Sequence, residues 1–281
     1  VKSAAKIREV REVVNQWRHQ GFTVGLVPTM GYLHEGHASL IKKAVEENDR
    51  VVVTIFINPA QFDKEEDLES YPVKIEEDLQ IIEETGGDMT FLPGVSEIYP
   101  EGFNTTVEVE KLDRELCGAT RQGHFRGVCT VVNKLFNIVT PTRAYFGEKD
   151  YQQLAIIRRM VADLNIPVEI RGCPIVRDDK GLALSSRNAR LSEDEREKAL
   201  IISRTLKKLR DSVASGEKET SKLIRTAVKS IETVPQARID YFEVVDRGTL
   251  QKLEVVDSSG ALAAAAVFIG RVRLIDNILV G

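Results

Sequence analysis

The run Val51-Val-Val-Thr-Ile-Phe-Ile57 limits this chain more than any other segment, because it is apolar along both faces. Side chains alternate between the two faces of a strand, so a run apolar on both must be covered on both. That is the position of a central strand in a parallel sheet flanked by helices. The neighbouring segments agree. Phe22–Val27 reads as a second buried strand, and strands are predicted near 88–92, 143–147 and 168–172. Apolar residues at helical spacing place helices near 4–19, 38–48, 72–85, 126–139 and 150–164. In the third of these, Pro72 suits the first turn, Ile75, Leu79 and Ile82 form the inner stripe, and Gly86-Gly87 ends it. Repeated strand–helix units predict a doubly wound α/β sheet, with ligands at the carboxyl ends of its strands.

The pattern changes after about residue 176. Ser192 and Glu195 form a capping box opening a charged helix to about residue 210, and a second helix covers roughly 219–232. Three strand-like runs follow near 237–245, 262–269 and 271–275. That order predicts a smaller α+β domain. The expected division is therefore 1–176 for the α/β domain and 177–281 for the second, with Arg177-Asp-Asp-Lys-Gly181 as the linker.

Histidine is scarce, with four in 281 residues, and two of them fall in His34-Glu-Gly-His37, just after Pro28-Thr-Met-Gly31. The pair opens a helix at the carboxyl end of a predicted strand. Residues three apart share a helix face, and a helix N-terminus offers unpaired N–H groups and partial positive charge. Such a turn can hold phosphate and stabilise charge as a phosphorus–oxygen bond breaks. Two plainer readings stand beside it: a pair of solvated cap histidines, or a metal site, which would want further ligands at recognisable spacing.

Four other segments carry candidate chemistry. Asn58-Pro-Ala-Gln-Phe62 follows the central strand, and its uncharged Gln61 suits a hydroxyl or carboxylate, or the segment is an ordinary turn. Phe146-Gly-Glu-Lys-Asp150 ends a strand; Lys149 is a point charge for a polyphosphate, while Asp150 could cap the next helix or orient a ribose hydroxyl, and Gln153 could face the same cleft as Gln61. A capped helix with a surface lysine explains the same residues. Leu184-Ser-Ser-Arg-Asn188 reads either as a phosphate clamp or as a polar loop. Gly123-His-Phe-Arg-Gly-Val128 reads as a mobile wall or a simple helix entry. Jointly these place phosphate-seeking groups on three segments and predict an ATP-handling α/β enzyme.

Composition removes several classes. A net charge of −4 gives no basic field for nucleic acid. The longest apolar run, Ala261–Ile269, is too short for a bilayer, and the N-terminal segment is amphipathic rather than secretory. Cys117, Cys129 and Cys173 are widely spaced and read as core residues in a reducing, cytoplasmic compartment.

The segments VPTMGYLHEGH (27–37), INPAQF (57–62), GHFRGV (123–128), YFGEKDYQQ (145–153), LALSSRN (182–188) and RLIDN (273–277) resemble the pantoate–β-alanine ligase family, in the family's order from about residue 20 onward. The histidine pair is shared with class I aminoacyl-tRNA synthetases and other nucleotidylyltransferases; NPAQF and FGEKDYQQ are what single out this family. The resemblance implies a Rossmann-like domain with a smaller C-terminal domain closing over the active site. It implies a cytoplasmic homodimer that uses ATP with Mg²⁺, needs no tightly bound prosthetic group and engages neither nucleic acid nor membrane. Pantoate would be adenylated with loss of pyrophosphate, and β-alanine would then displace AMP. No covalent enzyme intermediate is expected, so the cysteines would be dispensable. Carried onto this sequence, the family's ATP contacts are Met30, Gly31, Tyr32, Leu33, His34, Glu35, Gly36, His37, Gly147, Glu148, Lys149, Asp150, Val176, Leu184, Ser185, Ser186 and Arg187. His34, His37 and Lys149 would act on the phosphates, with His37 as proton donor. Gln61 and Gln153 would bind pantoate, and Gln61 would lie where β-alanine enters. The metal ligands stay unassigned, with Asp78 and Glu77 as candidates. A related nucleotidylyltransferase that leaves AMP on its product, and a nucleotide-sensing or RNA-binding module, are the competing functions.

Overall fold

The computed structural model describes residues 1–63 and 65–281. Its chain divides into two compact units: Val1–Asp113, Arg121–Glu148 and Gln153–Pro174 form one, and Arg114–Thr120, Lys149–Gln152 and Ile175–Gly281 form the other.

The first unit is built on a six-stranded sheet of β1 (Lys2–Ala4), β2 (Val24–Thr29), β3 (Arg50–Ile55), β4 (Met89–Phe91), β5 (Arg143–Gly147) and β6 (Glu169–Cys173), in the order β1-β4-β3-β2-β5-β6. Every pairing is parallel. Val51, Val52 and Val53 are essentially inaccessible, as a strand apolar on both faces requires. From β2 the chain winds outward through β3 and β4, then returns to β5 on the other side of β2. The winding therefore reverses between β2 and β5, and a doubly wound sheet binds its ligands at such a crevice. The carboxyl ends there lead into Met30 and Glu148.

Two local expectations need correction. The first helix is Ile7–His19, because residues 2–4 form β1 at the sheet edge against β4. Three residues are too few to display an alternation. The helix expected over 72–85 is Ile75–Glu84, and Pro72 lies before it. Three acidic residues, Glu76, Glu77 and Asp78, fill its first turn, where the helix dipole favours them. Its buried positions are Asp78 and Ile82, while Ile75 stays exposed. Gly86, at φ +89°, does end it.

In the second unit an antiparallel sheet, β7 (Ala237–Val245), β8 (Ala261–Ile269) and β9 (Val272–Val280), in that order, packs against helices Glu193–Ala214 and Thr220–Glu232. Leu200, Leu206, Leu223 and Ile231 meet Ala261, Ala263 and Ala265 in one apolar cluster. The small β8 side chains let the helices approach the sheet closely. The capping box forms as read: Ser192 Oγ accepts from the Glu195 N–H at 3.2 Å, and Glu195 Oε2 accepts from the Ser192 N–H at 2.9 Å. Strand β9 runs five residues beyond the expected 271–275, because Asp276-Asn277 breaks the apolar alternation without ending the strand. No described helix is long and apolar enough to cross a membrane.

Candidate active site

In the first unit, β2 ends in a tight turn shaped by three acceptors. Thr29 Oγ1 accepts from the Gly31 N–H (3.2 Å) while donating to the Thr54 carbonyl (2.6 Å). The Asp78 carboxylate accepts from the N–H of Tyr32 (2.9 Å) and of Leu33 (2.6 Å). Gly31 takes φ +82°, and a Cβ there would sit 3.0 Å from Asp78 Oδ2. Tyr32 holds the left-handed region too, at φ 51°, a strain that the Asp78 bonds offset. Asp78 is 1 % exposed, and burial raises its carboxyl above the ordinary aspartate range, against the two N–H bonds that lower it. Asp78 therefore shapes the Met30–His37 turn, and its carboxylate faces that turn's backbone. Glu77 instead pairs with Lys74 at 2.8 Å.

His34 is the N-cap of helix Glu35–Glu47. Its Nδ1 accepts from the Gly36 N–H at 3.1 Å, and His37 Nδ1 accepts from the His34 N–H at 3.3 Å. An Nδ1 that accepts an amide proton carries none itself, so in the neutral ring the proton sits on Nε2. The ring centroids are 4.2 Å apart. The cap reading and the phosphate reading are thus compatible: each imidazole caps backbone through Nδ1 and carries a donor on Nε2. Glu35 is exposed and pairs with Lys42, away from that chemistry.

The Asn58–Gln61 segment is a 3-10 turn capped by Asn58 and packed against helix His124–Val139. Tyr99 Oη donates to Asn58 Oδ1 (2.7 Å), and Asn58 Nδ2 donates to Gln61 Oε1 (3.0 Å) and to the Gly127 carbonyl (3.1 Å). Burial pushes the Tyr99 hydroxyl up to about 12, so it remains a donor at neutral pH. With Gln61 Oε1 accepting, its Nε2 carries the donors, and that nitrogen lies 3.2 Å from Met30 Sδ. A thioether is a weak acceptor, so a ligand oxygen would compete well for this amide. His124 Nδ1 donates to the Gln61 carbonyl at 2.7 Å, and Arg121 pairs with Asp63 at 3.3 Å. The Gly123–Val128 segment is therefore a helix entry that seats the turn. Gly127 is required there, since a Cβ would fall 2.2 Å from the Ala60 carbonyl oxygen. Gln153 sits half-buried in the first turn of helix Tyr151–Asp163, and β5 ends at Gly147, with Glu148 half-buried beyond it.

In the second unit, Lys149 and Ser185 line one shallow pocket with Leu182, Ala183, Asn188 and Asp276. Lys149 Nζ lies 3.9 Å from Asp150 Oδ1. Ser185 caps a 3-10 turn over Ser186–Arg190, accepting from the Arg187 N–H at 3.3 Å. Val176 and Leu184 are joined by the Leu184 N–H to the Val176 carbonyl (3.0 Å). The intervening stretch, read as a linker, is a closed hairpin, with Arg177 bridged to Ala183.

All three cysteines are buried free thiols. Burial pushes Cys129 up to about 12 and Cys173 up to about 11, which leaves neither a nucleophile. Among the described residues no group of three His, Cys, Asp or Glu side chains could hold a metal. Mg²⁺ carried on nucleotide phosphates needs only one or two protein carboxylates, and the half-buried Glu148 and exposed Asp150 beside Lys149 are of that type.

Sequence reasoning left three sets of hydrogen-bonded polar side chains unread. Asp78 was placed among metal candidates, and Tyr99 and the Asp276-Asn277 pair had no role. An acid inside an otherwise apolar helix stripe, and two polar residues inside an apolar strand, were the signals.

A family model described as pantoate-β-alanine ligase matches residues 2–279. The pantothenate synthetase of Ruminiclostridium cellulolyticum is 54% identical over 277 residues, covering 99% of this chain and 98% of that protein. The Enterococcus faecalis pantothenate synthetase is 52% identical over 271 residues, with 96% of each covered. Among solved structures, a pantothenate synthetase from Thermus thermophilus superposes with a TM-score of 0.94 at 44% identity, covering 99% of both chains. A pantoate-β-alanine ligase from Francisella tularensis, crystallised with β-γ ATP and β-alanine, superposes at 0.80 with 36% identity, covering 99% of this chain and 97% of that one.

Proposed function

We propose that this chain, which belongs to the pantoate–β-alanine ligase family, condenses pantoate with β-alanine in a reaction driven by ATP. A pantoate carboxylate oxygen attacks the α-phosphorus, and the bond from that phosphorus to the bridging oxygen breaks as pyrophosphate leaves. The amine of β-alanine then attacks the acyl carbon of pantoyl adenylate. AMP departs with the bonding electron pair, and the amine loses a proton. The ATP and β-alanine of the Francisella complex support both halves of this reading.

The observation that carries it is the reciprocal cap of His34 and His37, with Nδ1 of each ring held by backbone N–H. Both rings are thereby set to donate from Nε2 beside a helix N-terminus, and we assign His37 to donate toward the departing oxygen. Preorganised donors of this kind are typically worth ~10²–10³ in rate each. Met30–His37 and Gly147–Asp150, together with Val176 and Leu184–Arg187, are assigned to ATP, with Lys149 on the phosphates. Gln61 and Gln153 are assigned to pantoate, and Gln61 also to the entry of β-alanine. The Nε2 donor of Gln61, met among the described residues only by the weak Met30 acceptor, supports this, because an uncharged donor binds pantoate oxygen without neutralising the nucleophilic carboxylate.

Mg²⁺ bound to ATP would share the phosphate charge. A homodimer and a cytoplasmic location belong to the same proposal; the three buried free thiols fit a reducing compartment.

Mass spectrometry of a staged reaction tests the reading. ATP and pantoate together should yield pyrophosphate and enzyme-held pantoyl adenylate, and free AMP and pantothenate should follow only on adding β-alanine. Free AMP in stoichiometric amounts without β-alanine would reject it.

A further inference from the structure

The last strand carries two buried polar residues with no part in the assignments above. Asp276 is 5% exposed and Asn277 6%. Burying a carboxylate and an amide in a strand is unfavourable unless both are bonded, and both are. Arg177 grips Asp276 with two parallel bonds, Nη1 to Oδ2 at 2.6 Å and Nη2 to Oδ1 at 2.8 Å. Such a fork fixes direction as well as distance. Arg177 Nη1 also donates to the Gly181 carbonyl at 3.3 Å, so Asp276 anchors the hairpin that runs from Val176 to Leu184. Asp276 Oδ1 further accepts from the Asn277 N–H at 2.8 Å. Asn277 Nδ2 then donates to the carbonyl of Lys149 at 2.9 Å.

We infer that Asp276 and Asn277 are positioning residues for the nucleotide, holding the Lys149 turn and the Val176–Arg187 segment in register from one strand. The inference rests on the assignment of Lys149 to the ATP phosphates. Lys149 lies in a 3-10 turn over Glu148–Asp150, and a turn that short has little internal resistance to tilting. The direction in which the lysine stem leaves the backbone follows the orientation of its peptide, and Asn277 fixes that peptide. Strand β9 is a stable reference for both segments, since it is paired with β8 along its whole length. Asp276 and Lys149 also line the same pocket as Ser185, so the anchor adjoins the groups that it aligns.

Pantoate-dependent ATP–pyrophosphate exchange in Asn277→Ala, Lys149→Ala and the double variant tests this. Loss of one neutral hydrogen bond corresponds to about two- to tenfold. Asn277→Ala should raise KM for ATP or slow exchange by that factor, with KM for pantoate unchanged. In the Lys149→Ala background the same change should have almost no further effect. Wild-type exchange in Asn277→Ala, an equal rise in both KM values, or full additivity with Lys149→Ala would overturn the inference while leaving the lysine assignment intact. Normal exchange in Lys149→Ala would reject the assignment itself, and the inference with it. Asn277→Ser, read the same way, replaces any Asn277→Ala preparation whose melting shows it unfolded.

Discussion

Asn58 donates from Nδ2 to Gln61 Oε1 across 3.0 Å, and that bond decides which end of the glutamine amide is left to donate elsewhere. Asn58 cannot turn over without losing the Tyr99 hydroxyl on its Oδ1 and the Gly127 carbonyl on its Nδ2. The polarity of Gln61 is thus set through two successive hydrogen bonds, by a tyrosine that stays protonated.

Tyr99→Phe should therefore weaken pantoate more than ATP. The substitution leaves Asn58 Oδ1 with one remaining donor, the Ala60 N–H at 3.3 Å. We expect KM for pantoate to rise about two- to tenfold, the range of one neutral hydrogen bond, with KM for ATP nearly constant. Steady-state kinetics with each substrate varied in turn decide it, and equal changes in both constants would count against the relay.

His37→Ala should slow adenylate formation by ~10²–10³, the typical loss for one oriented donor, while ATP still binds. ATP–pyrophosphate exchange reports the first quantity and calorimetric ATP titration the second. Near-normal exchange would remove His37 from the mechanism.

Gly127→Ala should cost stability and disturb pantoate together. The added methyl would have to occupy space 2.2 Å from the Ala60 carbonyl oxygen, so the 3-10 turn carrying Gln61 must shift. Overpacking of this kind costs about 1–3 kcal/mol. Urea melts read the stability, and a variant with unchanged midpoint and unchanged KM for pantoate would contradict the contact.

Asp78 gives a pH dependence opposite in sign to that of most paired carboxylates. Its folded pKa is raised by burial above the ordinary value, so between the two values the native state binds more protons than the unfolded chain. Its contribution to stability then falls as pH rises through that window and is least favourable above it. Compared with Asp78→Asn in urea melts from about pH 4 upward, the wild type should lose relative stability as pH increases. The opposite slope would show that the two backbone N–H bonds outweigh desolvation.

The doubly wound sheet was legible because Val51–Ile57 is apolar on both faces, a pattern only a doubly covered strand tolerates, and because helical spacing recurs between the strands. The histidine turn was legible for a similar reason: scarce side chains stand three apart at a strand–helix junction, where chain geometry forces them together. What the sequence could not reveal were partners far apart along the chain. Asp78 reaches the turn at Tyr32 and Leu33, Tyr99 reaches Asn58, and Asn277 reaches Lys149 from 128 residues away. Periodicity is a local property, so it predicts strands and helices; a hydrogen bond between distant segments exists only once packing has chosen which faces meet. The residues assigned to the reaction were therefore drawn from short motifs. Their orientation, from the amide polarity of Gln61 to the tilt of the Lys149 turn, was decided by polar partners brought together from distant segments, a pairing that no local pattern specifies.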